Sequence, residues 1–300
     1  MRILKTLIIV TLSVTLWNCT GTNDELWFNA DGSGTYQSNS DMSQVLPFLL
    51  MAMESEKEGE EDAELEMFKS LFSGEKIDTI FPMKTLLDFA AREEEKSVDE
   101  LFEELENEMF STEDVPDSIR SSFANVFDFI RALKLRIQLD KEERVFNIGT
   151  IYDFSEFGQM KKLAGDFVRL SRYAGEQEAE KDGVDFSPMQ AFDMIQSSVS
   201  NMPDYVIDGN YFRYKFKGID MSSLMEDGPD GIGSMMSQFM GAEDYSLTIH
   251  LPGKIKNIKA SNDSVEKIDK KTIVIKTPLK ELYNADYSFD LEVKFKNKKR

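Results

Sequence analysis

The chain has 300 residues and a formal net charge of −20 at pH 7, and 41% of its residues are hydrophobic, including 22 Phe and 16 Met. A chain of this length and composition buries a real core and is not disordered. The negative charge repels nucleic-acid phosphates and argues against a DNA or RNA partner. The C-terminal end, from Lys254 to Arg300, is rich in lysine instead.

The first residues have the layout of a secretory signal peptide. Arg2 and Lys5 precede an uncharged, mostly apolar run over residues 7–17. A positive start followed by an apolar run of this length is typical of such signals. The run is shorter than the roughly 20 residues of a membrane span, so an uncleaved anchor is the less favoured alternative.

Cys19, the only cysteine in the chain, follows this run directly. The segment Leu16-Trp17-Asn18-Cys19 resembles the lipobox of bacterial lipoproteins, in the relaxed form of Bacteroidetes-type bacteria. In that family the leader is cut before the cysteine, whose thiol carries a diacylglycerol. Trp17 and Asn18 depart from the small residues usual there. The resemblance implies lipid attachment at Cys19 and a place in the cell envelope, at the outer membrane.

The chain is expected to fall into four parts: a signal peptide over 1–18, a lipidated tether over 19–25, an α+β region over 26–243 and a β-rich part over 244–300. An exported chain with one cysteine forms no internal disulfide, so its fold depends on its core. Membrane attachment is expected through the N-terminal lipid, because a negative surface gains nothing from anionic lipid heads.

The first predicted elements after the tether form a hairpin over 26–40, turned by Asp31-Gly32-Ser33-Gly34. This turn has part of the spacing of a calcium loop, but its twelfth position is Met42 and not a bidentate glutamate, which favours a turn over a metal site. An apolar run over 45–53 predicts a helix. The acidic run over 54–66 predicts a solvated loop, with a weak cation site as the alternative.

Further along the chain, apolar residues recur at helical spacing in several segments. The predicted helices cover 65–72, 81–91, 98–110, 116–130, 156–172 and 188–199, with a polar loop over 175–183. Alternating apolar residues and turn residues predict two more hairpins, over 133–152 and 205–217. In the last part, strands are predicted over 247–251, from 254, over 272–276 and over 287–295, with a turn of helix over 279–283. The expected fold class is α+β, with antiparallel hairpins packed against helices and a β-rich C-terminal part.

Three similar tripeptides each follow a predicted hairpin and precede a helical stretch. They are Asp41-Met42-Ser43, Asp153-Phe154-Ser155 and Asp220-Met221-Ser222. Asp and Ser side chains cap helices at such positions. A repeated β-β-α unit and three separate uses of one capping turn explain the pattern equally well.

The C-terminal strands carry a second resemblance. Leu251-Pro252-Gly253-Lys254-Ile255, a polar turn around Asn262-Asp263, and Thr272-Ile273-Val274-Ile275 resemble a β-rich domain of bacterial lipoproteins of the mycobacterial LppM-like type. The resemblance runs from Leu251 to Pro278. The asparagine-glycine and tryptophan positions typical of that family are not clearly present.

Few residues of the sequence are suited to catalysis. His250, the only histidine, is out of phase with the apolar residues of its predicted strand and is expected to face water. The sequence has no Gly-x-Ser-x-Gly motif, no phosphate-binding loop, and too few His and Cys residues for zinc. We therefore expect no catalytic residue, no metal site and no cofactor.

Two other patterns leave alternatives open. Six large apolar residues near one another fill a core or line a groove for an apolar ligand: Met221, Met225, Met235, Met236, Phe239 and Met240. The 55 acidic residues also permit a carboxylate pair like that of glycosidases. The expected function is a lipid-anchored envelope protein with a binding or structural role, whose partner is an unknown protein or apolar ligand. The alternatives are a carrier of lipids or hydrophobic ligands and a carboxylate-based glycoside hydrolase.

Overall fold

The structure is a computed structural model that describes residues 22–43, 46–47, 51, 74–110, 115–182, 204–218, 244–282 and 284–296. Within these ranges the chain forms twelve strands and five helices with described bounds, which confirms the α+β class and the β-rich C-terminal part. The described residues 46–47 and 51 of the helix predicted over 45–53 are also helical. Several predicted features lie outside the described residues: Cys19 with the leader, the acidic run over 54–66, the predicted helices at 65–72 and 188–199, and the Met-rich segment over 221–240. No described helix is long and apolar enough to cross a bilayer.

The elements have the following bounds. The strands are β1 (Thr22–Phe28), β2 (Gly34–Asp41), β3 (Lys76–Pro82), β4 (Lys134–Asp140), β5 (Val145–Phe154), β6 (Asp204–Asp208), β7 (Tyr211–Lys217), β8 (Asp244–His250), β9 (Lys254–Ala260), β10 (Val265–Lys267), β11 (Thr272–Pro278) and β12 (Ser288–Lys296). The helices are α1 (Met83–Glu93), α2 (Val98–Met109), α3 (Asp117–Ala132), α4 (Gly158–Asp182) and α5 (Leu279–Leu282).

The strands form a large and a small sheet. The large sheet has eight strands in the order β10-β11-β8-β1-β2-β5-β4-β3, and the small sheet has four in the order β6-β7-β12-β9. All neighbours run antiparallel except β1 and β8, which pair in parallel. Both sheets combine strands from either side of residue 243. The expected division between 26–243 and 244–300 therefore separates strands that are hydrogen-bonded to each other.

Alternation along the strands gives the large sheet one buried face. Leu26 and Phe28 of β1 pack with residues of the small sheet such as Phe212 in one hydrophobic cluster. A second cluster joins α1, α2 and α3 with part of α4, and Leu135 and Tyr152 of the large sheet pack against it. One face of the large sheet is thus covered partly by the small sheet and partly by helices.

The structure differs from the predicted elements at four places, one of which is β10, a short unpredicted strand. β1 begins at Thr22, so residues 22–25 of the expected tether lie in a strand. β3 is an unpredicted strand at the sheet edge, where its residues are only half-buried or exposed, and α1 therefore begins after Pro82. α4 continues to Asp182 through the predicted loop over 175–183. The Glu, Gln, Ala and Lys residues there have high helix propensity, and they extend a helix already nucleated on α3.

The two described tripeptides use different contacts. Asp41 Oδ1 accepts a hydrogen bond from Ser43 N at 2.8 Å, and Ser43 Oγ accepts one from Phe146 N at 3.0 Å. Ser155 instead exchanges two hydrogen bonds with Gln159 at the start of α4. The tripeptide at 220–222 lies outside the described residues.

Candidate functional site

A groove of about 1130 Å³ lies open to solvent where β1 and β8 end. Because these two strands run parallel, with Trp27 opposite His250, both strands end at the same edge of the large sheet. We call this site the Trp27–His250 groove. Its walls come from three segments: Trp27 to Ala30 at the end of β1, His250 to Pro252 at the end of β8, and Lys267 to Thr272 from the end of β10 to the start of β11.

The turn between β1 and β2 shapes one wall of the groove. Gly32 has a φ of 90°, in the left-handed region that favours glycine. Asp31 Oδ1 accepts hydrogen bonds from Ser33 N at 3.1 Å and from Ser33 Oγ at 2.7 Å. The segment with partial calcium-loop spacing is therefore a hydrogen-bonded turn in the structure.

The connection between β10 and β11 forms the opposite wall, and Asp269 holds its shape. Asp269 Oδ1 accepts hydrogen bonds from the backbone N–H of Lys271 at 2.6 Å and of Thr272 at 2.8 Å, and its Oδ2 accepts one from Thr272 Oγ1 at 3.1 Å. The bond from Lys271 N is the main cause that lowers the pKa of Asp269. The carboxylate is therefore ionised and its oxygens are engaged within the connection.

His250 lies in the groove wall between three partners. Its ring stacks on Trp27, with centroids 4.9 Å apart and planes 2° from parallel. Its Nε2 lies 3.3 Å from Glu25 Oε2, and its Nδ1 lies 3.2 Å from Thr272 Oγ1. The side chain is 31% exposed. Strand alternation predicted a histidine facing water, but Trp27 on the neighbouring parallel strand covers part of the ring.

Thr272, His250 and Glu25 have the hydroxyl–imidazole–carboxylate order of nucleophilic hydrolases. The geometry does not support that chemistry. Thr272 is 7% exposed, and its hydroxyl donates its single hydrogen to Asp269, so it accepts from the Nδ1–H of His250. A hydroxyl held in this way transfers no proton to the histidine and is not an activated nucleophile.

The groove combines apolar surface with positive charge. Trp27, Pro252 and Ile268 supply the accessible apolar part, and Ile268 is 54% exposed, whereas the neighbouring Leu251 is only 2% exposed. Three exposed lysines lie in the same walls, and we call them the rim lysines: Lys267, Lys270 and Lys271. No carboxylate in the described part of the chain forms an ion pair with them. A chain of net charge −20 thus presents a local positive site here.

The groove was not predicted from sequence, because its walls come from segments more than 200 positions apart. One signal was present: Trp27 is out of phase with Leu26 and Phe28, so strand alternation places a large aromatic ring on the outer face of the sheet. The predicted lipid site at Cys19 lies outside the described residues. Within the described ranges, no three His, Cys, Asp or Glu side chains come together as a metal site.

A second group of polar residues is buried on the inner face of the large sheet. Asp24 is 5% exposed. It accepts hydrogen bonds from Ser38 Oγ at 2.6 Å, Tyr36 OH at 2.8 Å and Tyr245 OH at 3.0 Å. Burial raises the pKa of Asp24 to about 6, because loss of water outweighs these three hydrogen bonds. Asp24 does not line the groove.

Comparison with known proteins adds little to this geometry. No family model matches the chain, and no curated protein matches it. Among solved structures, the chain is similar to the folded domain of LppM from Mycobacterium tuberculosis, determined by NMR. The similarity covers 93% of each chain, at 8% sequence identity and a TM-score of 0.30. A likeness at this level carries no conclusion about fold or function.

Proposed function

We propose that the protein is a lipid-anchored envelope protein that binds an apolar or amphipathic ligand in the Trp27–His250 groove. The observation that carries this proposal is the exposed apolar surface inside the groove. Trp27, Pro252 and Ile268 provide this surface along a space of about 1130 Å³. Ligand sites typically combine a concave apolar surface with a few polar groups.

The groove is held by regular structure. Trp27 lies in β1, which is hydrogen-bonded to β2 on one side and to β8 on the other. The opposite wall is held by Asp269 and is tied to β9 through the bond from Ile255 N to the Lys270 carbonyl at 2.8 Å. Walls held in this way favour a preformed site, which lowers the entropic cost of binding.

The position of the groove fits an N-terminal anchor. Three residue steps separate Cys19 from Thr22, a reach of at most about 10 Å. β1 then runs from Thr22 to Phe28, a length of about 20 Å at the usual rise of a strand. The groove lies at the end of β1 that is farther along the chain from Cys19, which fits a ligand that enters from the aqueous side of an acylated protein.

Open walls favour a ligand that is partly exposed when bound. The groove opens to solvent and covers only part of a ligand's surface. An amphipathic molecule keeps its polar part in water while its apolar part is buried. This observation favours a binding protein over a carrier that encloses a lipid completely. The carboxylate-based hydrolase remains a prediction from sequence.

A neutral fluorescent probe, N-phenyl-1-naphthylamine, tests the proposal on the full chain. Its emission is expected to rise on binding to the wild type. Ile268→Asn should weaken binding roughly fivefold, because a ligand then buries about one to two fewer methylene groups. The matched control is Val206→Asn on β6, since Val206 is 49% exposed and lies outside the groove.

The control variant should bind like the wild type, and both variants should unfold at the wild-type urea midpoint. No emission change with the wild type, or equal weakening in both variants, would contradict a binding function for this groove.

A further inference from the structure

We infer that the ligand of the groove is an amphipathic anion, with its apolar part on Trp27, Pro252 and Ile268 and an oxyanion head on the rim lysines. This inference rests on the proposed function, since it names the ligand class of the same groove. Its basis is charge complementarity with a positive rim on a strongly negative chain.

The charge of the rim lysines is available to a ligand. The acids around the groove already have partners: Asp269 in its wall accepts three hydrogen bonds within its own connection, Glu25 lies 3.3 Å from His250 Nε2, and Glu266 lies 3.9 Å from Lys276 Nζ. Lys271 Nζ donates to the Pro252 carbonyl at 3.1 Å. That bond places its ammonium group across the groove and leaves two of its three hydrogens for another acceptor.

Lysines also protect sheet edges against unwanted strand pairing. That role accounts for Lys267, which lies in β10 at the edge of the large sheet. It does not account for Lys270 and Lys271, which lie in the connection after that strand. These two flank the apolar wall directly, because Ile268 is only two positions from Lys270. Edge protection therefore explains one of the three cations and leaves the other two for a ligand.

The spacing of apolar and cationic groups matches a single molecule that has both characters. Ile268 lies between Lys267 and Lys270 in one short connection, and Lys271 reaches Pro252 in the segment at the end of β8. A neutral apolar ligand leaves the cations unused, and a cationic ligand is repelled by them. An anion without an apolar part leaves Trp27 and Ile268 exposed to water.

The test uses the full chain with Trp17→Phe, so that Trp27 is the only tryptophan. Trp27 emission is followed during titration, below the micelle concentration, with dodecyl phosphate, dodecyl maltoside, dodecyltrimethylammonium or inorganic phosphate. Dodecyl phosphate should bind about tenfold more tightly than dodecyl maltoside at low salt, as expected for three exposed ion pairs that each contribute a factor of about two. High salt should remove most of this advantage.

A triple variant with Lys267→Gln, Lys270→Gln and Lys271→Gln should bind both amphiphiles equally. The matched control carries Lys217→Gln, Lys256→Gln and Lys259→Gln in the small sheet, which changes the net charge by the same amount. These three lysines lie outside the groove walls. The control should keep the preference for dodecyl phosphate.

The outcomes separate the two proposals. Equal binding of the phosphate and maltoside amphiphiles by the wild type would overturn the ligand class and leave the binding function standing. Binding of inorganic phosphate or of dodecyltrimethylammonium as tight as that of dodecyl phosphate would also overturn it. No emission change and no calorimetric heat with any amphiphile would overturn the binding function itself.

Discussion

Asp24 places a carboxyl group on the face of β1 that also carries Leu26 and Phe28, inside the hydrophobic cluster between the sheets. Three hydroxyl groups hydrogen-bond to it, yet burial still raises its pKa to about 6. Folding therefore favours the protonated form, and ionisation of Asp24 destabilises the fold. Because the pKa is higher in the folded state, its contribution to stability is full below pH 4 and is lost as the pH rises to about 6.

We predict that Asp24→Asn stabilises the protein at pH 7 and has little effect at pH 4. The gain at pH 7 should approach roughly 3 kcal/mol, the free energy that corresponds to a pKa difference of about two units. Urea unfolding of the wild type and the variant between pH 4 and pH 7 measures this gain. The difference between their free energies of unfolding should grow with pH. Asp263→Asn, an exposed site in the turn after β9, is the control and should show no such trend. A difference independent of pH would contradict the role of Asp24.

His250 shows that the burial of a single residue can be predicted from the sequence, whereas its contact partners cannot. Strand alternation correctly separates it from Leu247, Ile249 and Leu251, which are buried. Its partners depend on the pairing of β8 with β1, which brings Glu25 next to it from 225 positions away. No local sequence pattern specifies that pairing. The residues around His250 therefore gave no indication that its ring stacks on Trp27.

At the level of elements, α3 and α4 are joined by a buried polar contact. Asp166 of α4 is 2% exposed. Its Oδ1 accepts from Ser122 Oγ at 2.9 Å and its Oδ2 accepts from Asn125 Nδ2 at 2.8 Å. Arg169 NH1 lies 3.4 Å from Asp166 Oδ1 and also donates to Ser122 Oγ at 3.2 Å. This network fixes how the two helices face each other, because every member has a partner.

Asp166→Ala is expected to lower the free energy of unfolding by about 2–3 kcal/mol, because it leaves the Ser122 and Asn125 donors without their charged acceptor. Chemical denaturation measures the loss. Asp128→Ala removes an exposed acid from α3 and should change stability by no more than about 0.5 kcal/mol. Similar losses in the two variants would show that the buried network does not hold α4 on α3.

Local signals predicted the elements whose partners are close in sequence. The hairpins β4–β5 and β6–β7 and helices α2 and α3 lie close to their expected positions, since turn residues, caps and periodicity specify them. α2 begins with a capping box between Ser97 and Glu100. β3 and β10 are sheet-edge strands without a fully buried residue, so no apolar core positions distinguished them from loops.

For the whole molecule, the decisive contact is the parallel pairing of β1 with β8. It joins the first strand of the chain to the C-terminal part, so the large sheet combines strands from both ends of the sequence. Contacts this remote in sequence follow from packing of the complete inner face and not from local propensity. The fold class was therefore predictable, whereas the groove at the ends of β1 and β8 was not.

The same pairing leads to a prediction about the anchored protein. The groove lies about 30 Å along the chain from Cys19, which combines the short tether with the length of β1. In vesicles that carry the processed, acylated protein, brominated lipid chains should therefore leave Trp27 emission unquenched, while the emission still responds to dodecyl phosphate added to the water.

Cys19→Ser should abolish metabolic acyl labelling and release the protein from vesicles. Quenching of Trp27 by the brominated chains would place the groove at the bilayer, and acyl labelling that persists in the variant would reject Cys19 as the anchor.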